Sequence, residues 1–194
     1  MNTEEIVQLI SSHEKTAAHF DNVYPSDLIP KRENFKQKQF LIANLDPSWS
    51  SGSHWVAFLI NPFGPSEYFD SYGKKPPYDH FETLLGKDYY YNSRQLQYNL
   101  STACGQWCIF FIWERVRGTN YNNLVNYFHS EDFLLNDHMM NRAIEIVFKT
   151  DLKVINKKFL CQQICKSLEN NLLLNQQKND MKTPKRLLKK KVLQ

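Results

Sequence analysis

Apolar residues gather into three short runs in the first half of the chain, and each run has the length of a β-strand. The longest, residues 54–60, is almost continuously apolar, as expected for a strand buried on both faces of a sheet. Residues 40–43 precede it, and residues 67–70 follow it after the segment 61–65, whose two prolines and one glycine indicate a turn. The pattern predicts that residues 54–60 and 67–70 pair as a hairpin.

A helical pattern replaces the strand pattern in the second half of the chain. From Cys104 onward, apolar residues occupy all sides of the predicted helix, so we expect this helix to be central and buried. Residues 22–38 contain two prolines and several charges and are predicted to be irregular. The other predicted helices cover residues 3–10, 76–85, 130–148 and 154–172. Helices grouped around a strand cluster indicate an α+β domain.

The composition fits one folded domain. Apolar residues make up 42% of the 194 residues and aromatic residues 14%, which argues against a disordered chain. The strongest apolar run, residues 108–113, is far shorter than the roughly 20 residues of a membrane-spanning helix, so we expect no membrane partner. The N-terminus lacks the pattern of a signal peptide, and four cysteines are too few for a disulfide scaffold. We therefore expect an intracellular protein with reduced thiols.

The net charge of +4 is unevenly distributed along the chain. Residues 182–194 hold six Lys or Arg and no acidic residue, so the other 181 residues carry a net charge of about −2. This change in composition predicts a domain over residues 1–175 and a basic, disordered tail over residues 176–194. Such a tail can bind DNA through its charge, the alternative being a solvated end without a partner. The candidate DNA-binding residues are Lys185, Arg186, Lys189, Lys190 and Lys191.

Cys104 is the strongest candidate for a chemical role. A loop of small residues, 101–103, brings it to the first turn of the buried helix. At that position the helix dipole and the free backbone N–H groups favour a thiolate, and the N–H of Cys104 can donate to an oxyanion. Gly105 leaves room beside the sulfur for a substrate backbone. The alternative is a cysteine that packs as a small apolar side chain.

A thiolate nucleophile needs a base, and among six histidines His54 stands out because it begins the most buried predicted strand. Asp70 ends the partner strand of the hairpin, where it can accept a hydrogen bond from the far ring nitrogen of His54. Asp70 can instead cap the turn that follows it. Gln97 lies seven residues before Cys104 and can supply a second oxyanion donor.

The candidate residues follow one another along the chain in the order His, Asp, Gln, Cys. They lie in the segments 52–58 and 68–73, at Gln97 and in residues 103–105. In this order and spacing, and in residues 22–27, the chain resembles the adenovirus-type cysteine endopeptidases (adenain family). Similar enzymes occur in virus-like DNA transposons, and the proteases of ubiquitin-like proteins are broader relatives.

The resemblance implies a papain-like, adenain-like α+β fold, with a mixed central sheet packed on helices and the nucleophile at the N-terminus of the central helix. It implies that Cys104 is the nucleophile, His54 the general base and acid, and Asp70 the orienting carboxylate. Gln97 and the Cys104 N–H would form the oxyanion hole. Trp55 would help to wall the substrate site. The implied substrates are viral or virus-like capsid and core precursors, cut after a small residue such as Gly.

The chain departs from the adenovirus enzymes in two ways. Asp70 stands where the adenovirus enzymes have Glu. The proteases of ubiquitin-like proteins have Asp at this position. No cysteine precedes Cys104, which excludes a peptide activator joined by a disulfide at such a position. The expectation is a monomeric enzyme without a metal or cofactor, activated by DNA or by a non-covalent peptide. We expect it to act in the host nucleus or the virion.

Three alternatives remain at the level of sequence. A deconjugating protease for ubiquitin-like proteins would keep the fold and chemistry. A DNA-binding or scaffold protein would use only the basic tail. A zinc site would need two C-x₃-C pairs, Cys104 with Cys108 and Cys161 with Cys165, to converge, but the second pair also fits one apolar helical face.

Overall fold

A five-stranded mixed sheet forms the centre of the fold in a computed structural model, which describes residues 1–149. Its strands are β1 (Phe20–Tyr24), β2 (Gln39–Asn44), β3 (Trp55–Ile60), β4 (Ser66–Phe69) and β5 (Tyr89–Tyr91), and they lie in that order across the sheet. Strand β3 runs antiparallel to both of its neighbours, β2 and β4, whereas β1 and β5 add in parallel at the two edges. The predicted hairpin and the predicted α+β class are confirmed.

Six α-helices surround the sheet within the described residues. They are α1 (Thr3–Ser11), α2 (Glu14–Ala17), α3 (Asp79–Leu85), α4 (Cys104–Val116), α5 (Tyr121–Asn126) and α6 (Phe133–Ile144). Two 3₁₀ turns, Ser26–Leu28 and Arg32–Asn34, follow β1, and a π-helical turn, Glu145–Lys149, follows α6. The predicted helix 154–172 and the predicted domain boundary at residue 175 lie outside the described residues.

Strand β3 is covered on both faces, as its continuous apolar pattern predicts. Val56, Phe58 and Ile60 belong to one buried cluster, together with Phe81 of α3, whose ring meets that of Phe58 edge-to-face at 5.1 Å. Helix α4 packs against the sheet, and Phe111 stacks on Phe69 of β4 at 4.8 Å. The expectation of a central helix buried on all sides is confirmed, because every residue from 107 to 113 is buried.

The prediction that residues 22–38 are irregular is wrong at its start, where residues 22–24 belong to β1. The error has a physical reason: within this edge strand only Val23 is well buried, so no apolar pattern marks it. Strand β5 was also missed, since it has three residues and none of them is fully buried. Helix α3 begins three residues later than predicted and ends, as predicted, at Gly86, whose φ of 87° suits glycine.

A buried ion pair joins the far end of α4 to the sheet. The Arg115 guanidinium donates to both carboxylate oxygens of Glu67 on β4, at 2.7 and 2.5 Å, and these side chains are 14% and 8% exposed. We expect Arg115→Leu to lower the free energy of unfolding by about 3 kcal/mol, because it leaves the Glu67 charge buried without its partner. Urea unfolding measures this loss.

The matched control is the exposed pair of Arg142 and Glu145, at 3.2 Å. Arg142→Leu should cost less than about 1 kcal/mol, because water already solvates both charges. Equal losses for the two variants would contradict the assigned role of the Arg115 pair.

Candidate active site

Cys104 is the first residue of α4, as the sequence predicts. No side chain caps this helix at Ala103, so backbone N–H groups of its first turn remain available to donate hydrogen bonds near the Cys104 sulfur. The cysteine is 8% exposed and borders a cleft with a volume of about 720 Å³. A substrate in this cleft can therefore reach a thiol that the helix N-terminus polarises toward the thiolate.

His54 lies immediately before β3, at the same end of the hairpin as Asp70. Its backbone is held because the His54 carbonyl accepts from the Leu45 N–H at 2.9 Å. Its ring nitrogen Nε2 lies 2.8 Å from Asp70 Oδ1, and the two side chains are 11% and 1% exposed. Since Nε2 is engaged by Asp70, the other ring nitrogen, Nδ1, is the one that serves the hydrogen bond to Cys104.

Asp70 is fixed on every side by hydrogen bonds. Its backbone N–H donates to Asn92 Oδ1 at 3.0 Å, and Asn92 Nδ2 donates back to the Asp70 carbonyl at 2.5 Å. The same carboxylate oxygen that meets His54 also accepts from the Tyr72 N–H at 2.8 Å. Asp70 thus makes the contacts of both roles that the sequence left open, one with the N–H of the following turn and one with the imidazole.

The Cys104–His54–Asp70 chain favours a thiolate–imidazolium pair. Burial alone would lower the pKa of His54, but its hydrogen bonds to Asp70 and Cys104 and their negative charges raise it to about 9. Burial alone would raise the pKa of Cys104. The hydrogen bond with His54, backbone hydrogen bonds from Trp55 and Gly105, and the charge of His54 reverse that effect and lower it. Both shifts favour the thiolate–imidazolium form of the pair over the neutral form.

The second described cysteine has a different environment. Cys108 lies one helical turn beyond Cys104 and is 1% exposed, and burial raises the pKa of its thiol well above the ordinary value. It is therefore a packed core thiol. Within residues 1–149 no three His, Cys, Asp or Glu side chains are grouped to hold a metal ion, and Cys161 and Cys165 lie outside this range.

Gln97 is fully buried beside the site and bonded within the chain. Its Oε1 accepts from Ser71 Oγ at 2.6 Å. Its Nε2 lies 2.9 Å from the Ser101 carbonyl, 3.0 Å from Ser101 Oγ and 3.2 Å from the Tyr72 hydroxyl. The amide donors assigned to an oxyanion hole are thus engaged by the chain's own oxygen atoms. The oxyanion role of Gln97 stays a prediction, and it requires one of these bonds to be exchanged for substrate.

Tyr72 is a site residue that the sequence analysis missed. Its ring packs on the His54 imidazole, with centroids 4.8 Å apart and planes tilted by 31°, and its hydroxyl meets Gln97. It therefore contacts the proposed base and the proposed oxyanion amide at once. The register of the hairpin could have predicted this contact. Ala57 pairs with Phe69, and extending the same antiparallel register beyond the strands places residue 72 opposite residue 54.

Asp137 is a second residue that the sequence did not reveal. One of its carboxylate oxygens accepts from Trp107 Nε1 at 2.7 Å, and the other accepts from the Tyr98 N–H at 3.2 Å. Asp137 thereby ties α6 to the helix that carries Cys104 and to the segment that leads into it. No local sequence pattern predicts these two hydrogen bonds, because they join residues that are 30 and 39 positions apart in the chain.

Trp55 and Gly105, the predicted substrate-binding residues, lie next to each other, and Trp55 lines the cleft beside Cys104. The other lining residues come from the N-terminal segment, the end of β1, the end of β2 with the loop before β3, the turn after β4 and the loop before α4; they include Met1, Asn2, Thr3, Val23, Tyr24, Asn44, Asp46, Ser50, Gly52, Ser53, Tyr72, Ser101 and Thr102. The five basic tail residues predicted to bind DNA lie outside the described residues. No helix among residues 1–149 is long and apolar enough to span a bilayer.

Comparisons with known proteins add weak likenesses. Neither the protein-family models nor the curated proteins give a match. A crystal structure of the ASFV pS273R protease is similar over 68% of this chain and 65% of its own, with 16% identity and a TM-score of 0.44. A selenomethionine crystal structure of the ASFV pS273R protease is similar over 53% of this chain and 43% of its own, with 21% identity and a TM-score of 0.39. The chemical interpretation of the site is therefore based on the geometry of its residues and not on these similarities.

The geometry predicts that iodoacetamide labels Cys104 selectively at pH 7. In His54→Ala the thiolate loses its hydrogen bond and its positive partner, so the pKa of Cys104 rises and labelling at pH 7 should slow by about tenfold or more. The two proteins should react at similar rates at pH 10, where an unassisted thiol also ionises. Mass spectrometry of the alkylated peptides measures both rates.

Cys108 is the internal control for this measurement, because it is buried in the same helix. A pH profile of Cys104 that is the same with and without His54 would contradict the ion pair.

Proposed function

We propose that this protein is a cysteine endopeptidase. The observation that carries the proposal is the hydrogen-bonded chain of Cys104, His54 and Asp70, in which the His54 Nε2–Asp70 Oδ1 distance is 2.8 Å and the thiol opens on a cleft. A thiol at a helix N-terminus, a histidine within its reach and a buried carboxylate behind that histidine are the three parts that thiol proteolysis needs.

The residues support a two-step reaction. The Cys104 thiolate attacks the substrate carbonyl carbon, and the resulting oxyanion is stabilised by the Cys104 N–H and, as predicted, by Gln97. The imidazolium of His54 then protonates the leaving amine as the C–N bond breaks, which leaves a thioester on Cys104. His54, now neutral, takes a proton from water, and the hydroxide so formed cleaves the thioester and restores the thiolate.

The sequence resemblance supports the finer part of the proposal. It favours an adenain-like enzyme with a papain-like arrangement, acting on viral or virus-like precursor proteins after a small residue such as Gly. Gly52, Trp55 and Gly105, which belong to the resembling segments, lie at or beside the cleft. Activation by DNA or by a non-covalent peptide, and action as a monomer in the nucleus or virion, belong to the same proposal.

A deconjugating protease for ubiquitin-like proteins is the second candidate, and Asp70 as the orienting carboxylate favours it. Parallel incubation of the protein with a capsid precursor and with ubiquitin-like fusions separates the two. Cleavage of the fusions alone would replace the viral substrate class with the deconjugating one, while leaving the thiol mechanism in place.

We expect Asp70→Asn to lower kcat/KM for peptide hydrolysis by at least about tenfold with little change in stability. The Asn side chain can still accept from the Tyr72 N–H, but it removes the negative charge that raises the pKa of His54. The alkaline limb of the pH profile, which should lie near pH 9 in the unmodified protein, should move to lower pH. Steady-state kinetics from pH 5 to 10 test this, and full activity in the variant would reduce the proposed triad to a dyad.

DNA binding by the basic tail is a separate part of the proposal, supported by the charge of residues 182–194. Removal of these residues should weaken DNA binding and flatten its dependence on salt, because fewer counterions are released. Fluorescence anisotropy with duplex DNA at several salt concentrations measures both quantities. An unchanged affinity and salt slope would assign any DNA contact to another part of the chain.

A further inference from the structure

The first residue of the chain lies in the cleft beside Cys104. The carbonyl oxygen of Met1 accepts a hydrogen bond from Trp55 Nε1 at 3.2 Å, and the Met1 side chain is 10% exposed. Trp55 and Gly105, the two residues that the sequence assigned to substrate binding, are therefore both in contact with Met1.

The Met1 side chain lies in a trough formed by the absence of a side chain at Gly105. A Cβ atom added to Gly105 would stand 3.2 Å from Met1 Sδ, 3.3 Å from Met1 Cβ and 3.4 Å from Trp55 Cδ1. The backbone of the residue after Cys104 thus forms one wall and the indole edge the other. Any side chain at position 105 would narrow the space that the thioether now fills.

The N-terminal segment is held in this position by a well-formed helix. Asn2 and Glu5 form a capping box, in which Asn2 Oδ1 accepts from the Glu5 N–H at 2.8 Å and the Asn2 N–H donates to Glu5 Oε2 at 2.9 Å. The same helix, α1, buries Ile6 and Ile10 completely and packs against β1 and α4. Met1 therefore enters the cleft from a fixed anchor.

The contacts of Met1 are those that a substrate residue would make: a backbone carbonyl bonded to a fixed donor and an apolar side chain enclosed next to the nucleophile. We propose that the trough between Trp55 and Gly105 is a subsite for an apolar side chain of about the size of methionine, with Trp55 Nε1 as its backbone donor, and that Met1 occupies this subsite until substrate displaces it. The inference deepens the proposed function and rests on it.

Displacement is structurally simple. Residues 2–5 of the segment are exposed, so release of Met1 breaks only the contacts that Met1 itself makes with Trp55 and Gly105. The first fully buried anchor is Ile6, which can keep α1 in place while Met1 leaves the cleft. A peptide with a matching side chain thus competes with one residue of the chain.

The test compares the full chain with Met1→Gly and Met1→Leu, each released from an N-terminal fusion so that residue 1 can be chosen. The reagents are iodoacetamide, an acetyl-tetraglycine vinyl sulfone, and four versions of that probe with norleucine in place of one glycine. The rate of Cys104 alkylation is followed by mass spectrometry. Thermal unfolding shows whether the variants remain folded.

We expect Met1→Gly to react at least about tenfold faster than the unmodified chain with one norleucine probe, since an enclosed apolar side chain gives this order of discrimination. The same variant should prefer that probe over tetraglycine by at least about tenfold. Met1→Leu keeps an apolar side chain in the trough and should behave like the unmodified chain. Iodoacetamide, which is too small to need the subsite, should react with all three at rates within about twofold.

Two results would overturn the inference: norleucine probes that react equally with Met1→Gly and the unmodified chain, or no preference for norleucine at any position. If iodoacetamide still labels Cys104 selectively in that case, the proposed protease stands and only the subsite fails. If iodoacetamide labels Cys104 no faster than in His54→Ala, the proposed function fails as well.

Discussion

The hydrogen bond between His54 and Asp70 is the interaction on which the site depends. It forms because the β3–β4 hairpin brings both residues to the same end of the sheet, where Ala57 pairs with Phe69 nearby. The hairpin alone leaves the carboxylate free to turn. Asn92 holds the Asp70 backbone and the Tyr72 N–H holds its carboxylate, so the imidazole meets an acceptor that is already in place and loses little entropy in its orientation.

The buried helix α4 supplies the second constraint. Its apolar sides pack between the sheet and α6, and Asp137 fixes it through Trp107. These contacts hold α4 against the sheet and α6, and they place Cys104 at the end of the helix where backbone N–H groups and the helix dipole stabilise a negative charge. Cys108, one turn deeper, has the same side chain and the opposite pKa shift, because it is fully buried whereas Cys104 has the hydrogen bond and charge of His54 beside it.

The cleft in front of these residues is shaped by segments far apart in sequence. The loop before β3, the end of β1 and the start of α1 form its walls, and Met1 occupies the part between Trp55 and Gly105. The proposed catalytic groups are thus already in contact with one another while Met1 lies in the cleft. Under the function proposed above, substrate choice depends on which side chain can replace Met1.

The sequence by itself determined the local features: the β3–β4 hairpin, the buried α4 helix, and the placement of His54, Asp70 and Cys104 at the ends of these elements. Each follows from a period of apolar residues or from a helix-start pattern, which neighbouring residues encode. The tertiary structure decided the rest. Edge strands β1 and β5 bury too little to leave a pattern, and the clasp of Asn92 on Asp70 spans 22 residues. The contact of Trp55 with Met1 spans 54 residues. No local pattern predicts such contacts, because they form only when packing brings distant segments together.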